Sequence, residues 1–157
     1  MMMCWTMYTH DEEKKEWYDN DMIAHACGGI DSADYTNSKE ALESALNNNI
    51  KLIEVDFQFS SDNRLLCVHK WKNLNRKNPI EYAKFRNILI KGKYHTLTAE
   101  ELIDTMLKYK DVYLIVDVKG KDVLDVYKEL DRLCINYGRK GRLFRNRIIP
   151  QIYNYSQ

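Results

Sequence analysis

The sequence predicts an α/β fold whose main strands run parallel and are joined by right-handed crossovers. Three observations carry this reading. Short apolar runs with period-2 alternation recur between segments of helical spacing. Their order is β-α-β-(β)-α-β-α-β, the alternation that goes with parallel strands. Titratable and polar residues fall at or near the C-terminal ends of these strands, where α/β folds assemble their sites.

The elements follow one another as local signals. Residues 1–21 are polar and charged, an N-terminal arm or short helix over Asp11–Tyr18, and the domain proper is expected over 22–157. Met22–Ala26 is a short apolar run that Cys27-Gly28-Gly29 ends, a strand running into a loop. Ser38 reads as an N-cap, and Ala41, Leu42, Ala45 and Leu46 recur at helical spacing over Lys39–Asn47. The next strand is Lys51-Leu-Ile-Glu-Val-Asp-Phe57, and Ser60–Asn63 turns it into a second short strand, Leu65–His69. Residues 70–95 read as loop with a short helix near Tyr82–Ile88. Thr98, followed three residues on by Glu101, is a capping box that opens a helix to about Lys108. Val112–Lys119 is a strand, Lys121–Tyr137 a helix and Arg147–Tyr153 a last strand, although Pro150 removes one ladder donor from it.

Composition bounds the function. The chain has 157 residues, suited to one domain, and is 45% hydrophobic and 30% charged, which fits a globular protein. A net charge of +1 provides no footprint for nucleic acid, and none is expected as a partner. The basic stretch Arg139–Arg147 reads as a solvated loop, with phosphate attraction as the alternative. The four cysteines (Cys4, Cys27, Cys67 and Cys134) form no Cys-x-x-Cys pair and are expected to be reduced and mostly buried. No apolar run approaches the roughly 20 residues of a membrane span. Met1–His10 lacks the basic start of a signal peptide, so the cytoplasm is the expected location, an upstream signal being the alternative.

Period 2 places Leu52, Glu54 and Asp56 on one face of their strand and Ile53, Val55 and Phe57 on the other, a packing face. A wet face on a one-sided strand is the bland reading of the two carboxylates. A metal site is the sharp one, because a hard cation neutralises both and prefers oxygen ligands. Tyr113, Ile115, Asp117 and Lys119 likewise share a face, as do Leu65, Cys67 and His69. His25 and His69 stand at strand ends, and Gln151 and Tyr153 are the late polar positions of the last strand. Each residue alone is a weak signal, and Asp117 with Lys119 would serve as a same-face ion pair. Together, three carboxylates for Ca²⁺ or Mg²⁺, a lysine suited to phosphate and two imidazoles for proton transfer are a set that suits phosphodiester cleavage.

The stretches Ile23-Ala-His-Ala-Cys-Gly-Gly29, Tyr35-Thr-Asn-Ser38, Ile53-Glu-Val-Asp56, Val68-His69, Val116-Asp-Val-Lys119 and Ile148–Tyr153 follow one another in an order that resembles the glycerophosphodiester phosphodiesterases. Those enzymes belong with the phosphatidylinositol-specific phospholipase C-like TIM-barrel hydrolases of lipid metabolism. The resemblance covers roughly residues 22–157. It implies that His25 and His69 are the catalytic acid/base pair. It implies further that Glu54, Asp56 and Asp117 hold Ca²⁺ or Mg²⁺ and that Lys119 faces the substrate phosphate. Gln151 and Tyr153 are candidate pocket residues. The sequence departs from the family at Ala26, where an arginine is usual, at Asp117, where a glutamate is usual, and at Lys70, where an aspartate is usual.

A (β/α)₈ barrel takes about 250 residues, so the expectation is its N-terminal half: about four main parallel strands plus a short extra strand. The function implied is metal-dependent hydrolysis of a small-molecule phosphodiester of the glycerophosphodiester type, by a chain that looks truncated. The rival from another class is a non-catalytic half-barrel acting as a binding or assembly module. Half a barrel also predicts open edges at the first and last strands and an exposed inner face carrying Leu52, Leu65, Tyr113 and Ile115. Such a chain would pair with a second copy edge to edge or would aggregate.

Overall fold

The computed structural model describes residues 17–120 and 123–151. A 3-10 turn at Trp17–Asp19 precedes β1 (Ile23–Ala24), and a second one, His25–Cys27, follows at once. Helix α1 (Lys39–Asn47) starts where the Ser38 hydroxyl accepts the Ala41 N–H at 3.1 Å, and it buries the predicted face of Ala41, Leu42, Ala45 and Leu46. Strand β2 (Leu52–Phe59) turns through Ser60–Asn63 into β3 (Leu65–Cys67), its antiparallel partner. Another 3-10 turn (Trp71–Leu74), α2 (Tyr82–Phe85) and a small hairpin, β4 (Leu89–Ile90) with β5 (Tyr94–His95), fill the long connection. Helix α3 (Ala99–Met106) opens on the complete Thr98/Glu101 capping box. Then come β6 (Tyr113–Val118), α4 (Val123–Asn136), α5 (Gly138–Arg145) and β7 (Ile148–Pro150).

The main sheet has the order β1-β2-β6-β7, and every neighbouring pair along it is parallel. These are the four expected main strands, and β3 is the extra one. It shares an edge of β2 with β1: β1 pairs with Leu52–Ile53 and β3 with Phe57–Phe59. The helices cover the outer face. Ile53, Val55 and Phe57 of β2 and Leu114 and Val116 of β6 pack there with Leu42, Leu102, Ile103, Met106, Leu130 and Phe144. A second cluster, built on Trp71, Leu74, Phe85, Ile90 and Tyr94, seals Leu66 and Val68 on the far side of β3.

Several expectations are corrected. Leu65 and Cys67 do not face inward. They stand opposite Phe59 and Phe57 and join the outer core, while Leu66 and Val68 join the second cluster. Both faces of β3 are therefore buried, and alternation on so short a strand did not tell them apart. The inner face is not open either. Leu52 is buried and Ile115 and Tyr113 are half-buried, and the 3-10 turn after β1 and the loop leading to α1 bond Glu54 and Asp56 of β2. The basic stretch is not a loop. Residues Gly138–Arg145 form α5, which buries Phe144 in the main core, a contribution of about 1.5–3 kcal/mol that a solvated loop would forgo. The hairpin β4–β5 carried no alternation long enough to read. Cys27, Cys67 and Cys134 are free and buried, as expected, whereas Cys4, the segment Asp11–Glu16 of the expected arm, and Tyr153 lie outside the described residues.

The packing of α5 on α4 depends on Gly141. A β-carbon placed there would stand 1.8 Å from the Cys134 carbonyl oxygen, so backbone meets backbone with no room for a side chain. Gly141→Ala is expected to destabilise the fold by about 1–3 kcal/mol or more, the usual effect of overpacking against rigid atoms. A lowered urea midpoint checks it, and an unchanged midpoint would show that α5 is free to move.

Candidate active site

The site begins with the parallel register of β2 and β6. Asp56 and Asp117 are Cα partners on adjacent strands, so their side chains leave the same face side by side. Glu54 is one step back along that face. Glu54, Asp56 and Asp117 are at most 4% exposed, and one oxygen from each lies within 4.8 Å of the others. Lys119, next after Asp117 on the same face, donates to Asp117 and sits 3.0 Å from Asp56 Oδ1.

Three carboxylates against one ammonium leave an excess of negative charge in a low-dielectric place. Burial raises the Glu54 carboxyl to about 7. The Ala26 N–H and Lys119 oppose that rise, and the charges of Asp56 and Asp117 add to it. The Lys119 ammonium is held well above its usual range by its bonds to Asp117 and Asp56, although burial works against it. Glu54 Oε2 accepts the Ala26 N–H, whereas its Oε1 is buried with no hydrogen-bond partner. An orphaned carboxylate oxygen beside two more carboxylates is costly unless a cation joins them. An all-oxygen donor set of this kind fits a hard divalent ion such as Ca²⁺ or Mg²⁺.

His25 is not a strand residue. β1 stops at Ala24, and the chain turns sharply, with φ of +49° at Ala26 and +67° at Cys27. The turn aims the Ala26 N–H at Glu54 and brings His25 Nε2 to 3.7 Å from Glu54 Oε2, with the ring about half exposed. His69 lies two residues beyond the end of β3. Burial pushes its imidazole below the usual range, helped by Lys119, Lys70 and His25 and opposed by Asp56. Lys70, one of the departures from the family pattern, thus acts on the neighbouring histidine. Gln151 directly follows Pro150, the Cα partner of Val116, so the parallel register carries it alongside Asp117, and its side-chain Oε1 is buried with no hydrogen-bond partner. Its backbone N–H bonds the Val116 carbonyl at 3.1 Å, extending β7, and it lines a cavity of about 550 Å³ with Val118, Tyr127 and Pro150.

Three residues that sequence reasoning gave no role complete the arrangement. Asn37 is fully buried and bonds Asp56 twice: its amide donates to Asp56 Oδ2 at 2.7 Å, and its carbonyl oxygen accepts the Asp56 N–H at 3.0 Å. Gln58, the next residue on the Glu54/Asp56 face, donates to the Val68 and His69 carbonyls at 3.1 and 2.9 Å and so fixes the approach to His69. Tyr35 contacts both histidines, in an edge arrangement with His25 at 4.9 Å and stacked on His69 at 4.7 Å. The signals existed: Tyr35 and Asn37 are in the Tyr35-Thr-Asn-Ser38 stretch, and Gln58 continues the period-2 face.

No protein-family model matches the sequence, and a comparison with curated proteins finds no match. Solved structures do match. A glycerophosphodiester phosphodiesterase from Parabacteroides distasonis aligns with a TM-score of 0.64 at 21% identity, over 85% of this chain and 56% of its own. The glycerophosphoryl diester phosphodiesterase domain of a Mycobacterium tuberculosis protein aligns at 0.62 and 17%, over 85% and 53%. A glycerophosphodiester phosphodiesterase from Agrobacterium tumefaciens aligns at 0.61 and 12%, over 85% and 57%. At such identities the likeness is one of fold. The chain thus has the half-barrel fold that its ordered motifs led us to expect, shared with glycerophosphodiester phosphodiesterases, and it spans about half the length of the structures it matches.

Proposed function

We propose that this half-barrel carries the catalytic groups of a metal-dependent phosphodiester hydrolase acting on a small glycerophosphodiester. The observation that carries the proposal is the convergence of Glu54, Asp56 and Asp117 on one another, with Lys119 and both histidines around them. Glu54, Asp56 and Asp117 hold the cation, which when bound offsets their charge and stabilises negative charge on the phosphoryl oxygens. Lys119 presents its ammonium to the phosphate. His69, kept neutral by burial, takes the proton from the attacking hydroxyl, either a neighbouring substrate hydroxyl or water, as the new P–O bond forms. His25 gives a proton to the alcohol oxygen as the old P–O bond breaks. Asn37 holds Asp56 in place, and Gln58 holds the backbone that presents His69.

A second reading is a non-catalytic half-barrel that serves as a binding or assembly module. The observation behind it is that the chain covers 53–57% of the matched structures. Under that reading two chains pair through the edges at β1 and β7. The readings part at turnover: both allow cation binding, and only the first requires hydrolysis.

Calorimetric titration with Ca²⁺ or Mg²⁺ is expected to show one site that Asp56→Asn weakens by at least tenfold, and equal affinities would refute the ligand assignment. Because the Glu54 carboxyl sits at about 7, the cation must displace a proton below that pH. Affinity should therefore fall by up to about tenfold per pH unit below 7 and level off above it. Glu54→Gln should abolish this dependence. A flat profile in the wild-type chain would place Glu54 outside the site.

Hydrolysis of glycerophosphocholine by the chain joined to the rest of a barrel should drop by about 10²–10⁴-fold in His25→Ala and in His69→Ala, the range of a lost general acid or base. Undiminished turnover in either variant would remove that histidine from the mechanism.

A further inference from the structure

The carboxylate cluster is closed to any phosphate in this conformation. Asp56 is 0% exposed, Asp117 2% and Glu54 4%, so something must move before a ligand can reach them. The loop between β1 and α1 supplies the covering group. Its backbone is pinned at both ends: the Asn37 N–H bonds the Ala26 carbonyl at 3.1 Å, and Ile30 and Ala33 exchange hydrogen bonds at 3.1 and 2.7 Å. Between these pins, Tyr35 adopts φ +55°, a left-handed conformation that a bulky residue holds only when its surroundings impose it.

The ring so presented contacts both the candidate acid and the candidate base. It meets His25 edge to face, with an interplanar angle of 83°, and lies nearly parallel to His69, at 24°. Those two aromatic contacts are its only side-chain attachments among the described residues. Among the described residues the Tyr35 hydroxyl has no hydrogen-bond partner, and the residue is 44% exposed. An in-line displacement needs the attacking and leaving oxygens on opposite sides of phosphorus. A phosphate reaching both imidazoles therefore competes with the ring that now contacts both. A ring held by stacking alone, on a side chain with open solvent beside it, can rotate away while the pinned backbone stays.

We propose that Tyr35 is a displaceable gate of the phosphate site: it contacts both His25 and His69 when no substrate is bound and rotates out as a phosphate group enters. This rests on the proposed function above and adds the step that admits the substrate. The gate has a consequence for affinity. The closed state must be left before binding, so phosphate binds more weakly than the open site would bind it. Removing the ring removes that penalty, whereas removing only the hydroxyl does not.

The test uses inorganic phosphate with the 157-residue chain in the presence of Mg²⁺, and so needs no turnover. Proton NMR of the wild-type chain follows the ring hydrogens of His69, which the stacked Tyr35 ring shields. Phosphate should move them downfield as the stack opens. In calorimetry, Tyr35→Ala should bind phosphate about 5- to 150-fold more tightly than wild type, the factor that two aromatic contacts supply, and Tyr35→Phe should match wild type. Phosphate binding with the His69 resonances unmoved, or with Tyr35→Ala equal to or weaker than wild type, would overturn the gate and leave the phosphodiesterase reading standing. Failure of the wild-type chain and both variants alike to bind phosphate would overturn that reading, and the gate with it. The wild-type NMR measurement decides the matter even if Tyr35→Ala fails to fold.

Discussion

The reciprocal pair between Asn37 and Asp56 is the constraint on which the rest of the site depends. One amide side chain satisfies both the backbone N–H and a carboxylate oxygen of a fully buried aspartate. It does so from a loop position with φ +46°, a conformation that asparagine tolerates better than most residues. The loop is thereby fastened across β2. Ser38 then follows at once in place to cap α1, and Tyr35, two residues before Asn37, is brought over the histidines. Loss of this pair would leave a buried charge with fewer partners, a far larger penalty than the net gain of an ordinary hydrogen bond.

The same economy explains how a cluster of three carboxylates survives in a folded chain. Each lies close to a group able to answer its charge: the Ala26 N–H for Glu54, Asn37 and Lys119 for Asp56, and Lys119 for Asp117. The compensation is incomplete, as the raised Glu54 carboxyl and its partnerless Oε1 show. A protein that required only a stable sheet would gain by replacing such groups with apolar ones. An arrangement that remains short of positive charge and offers only oxygen donors is poised for a cation.

Half a barrel would be expected to expose the inner face of its sheet. Here the carboxylate part of that face is held by the chain's own loops, the turn His25–Cys27 bonding Glu54 and the segment leading to Asn37 bonding Asp56. The outer face is covered by α1, α3, α4 and α5, and β3 is packed on both sides, with the Trp71/Phe85 cluster closing its far face. The site is thus supported by elements within this chain, while β1 and β7 remain the terminal strands of the sheet.

The sequence by itself determined the elements whose signals are local. Ser38 and Thr98 cap helices because a hydroxyl meets an N–H three residues on. Strict alternation put Glu54 with Asp56 and Asp117 with Lys119 on matching faces, since a strand's period leaves no other choice. Four parallel strands and one extra strand were legible for the same reason. Only the tertiary structure decided what depends on distant partners. Residue His25 left its strand because the Ala26 N–H found Glu54, 28 positions away. Leu65 took the outer face because Phe59 stood opposite it, and the basic segment became a helix because Phe144 had a core to enter. Tyr35 and Asn37 acquired their positions only when β2 and β3 were in place to receive them. Periodicity reports which way a side chain points, and long-range packing alone reports what it meets there.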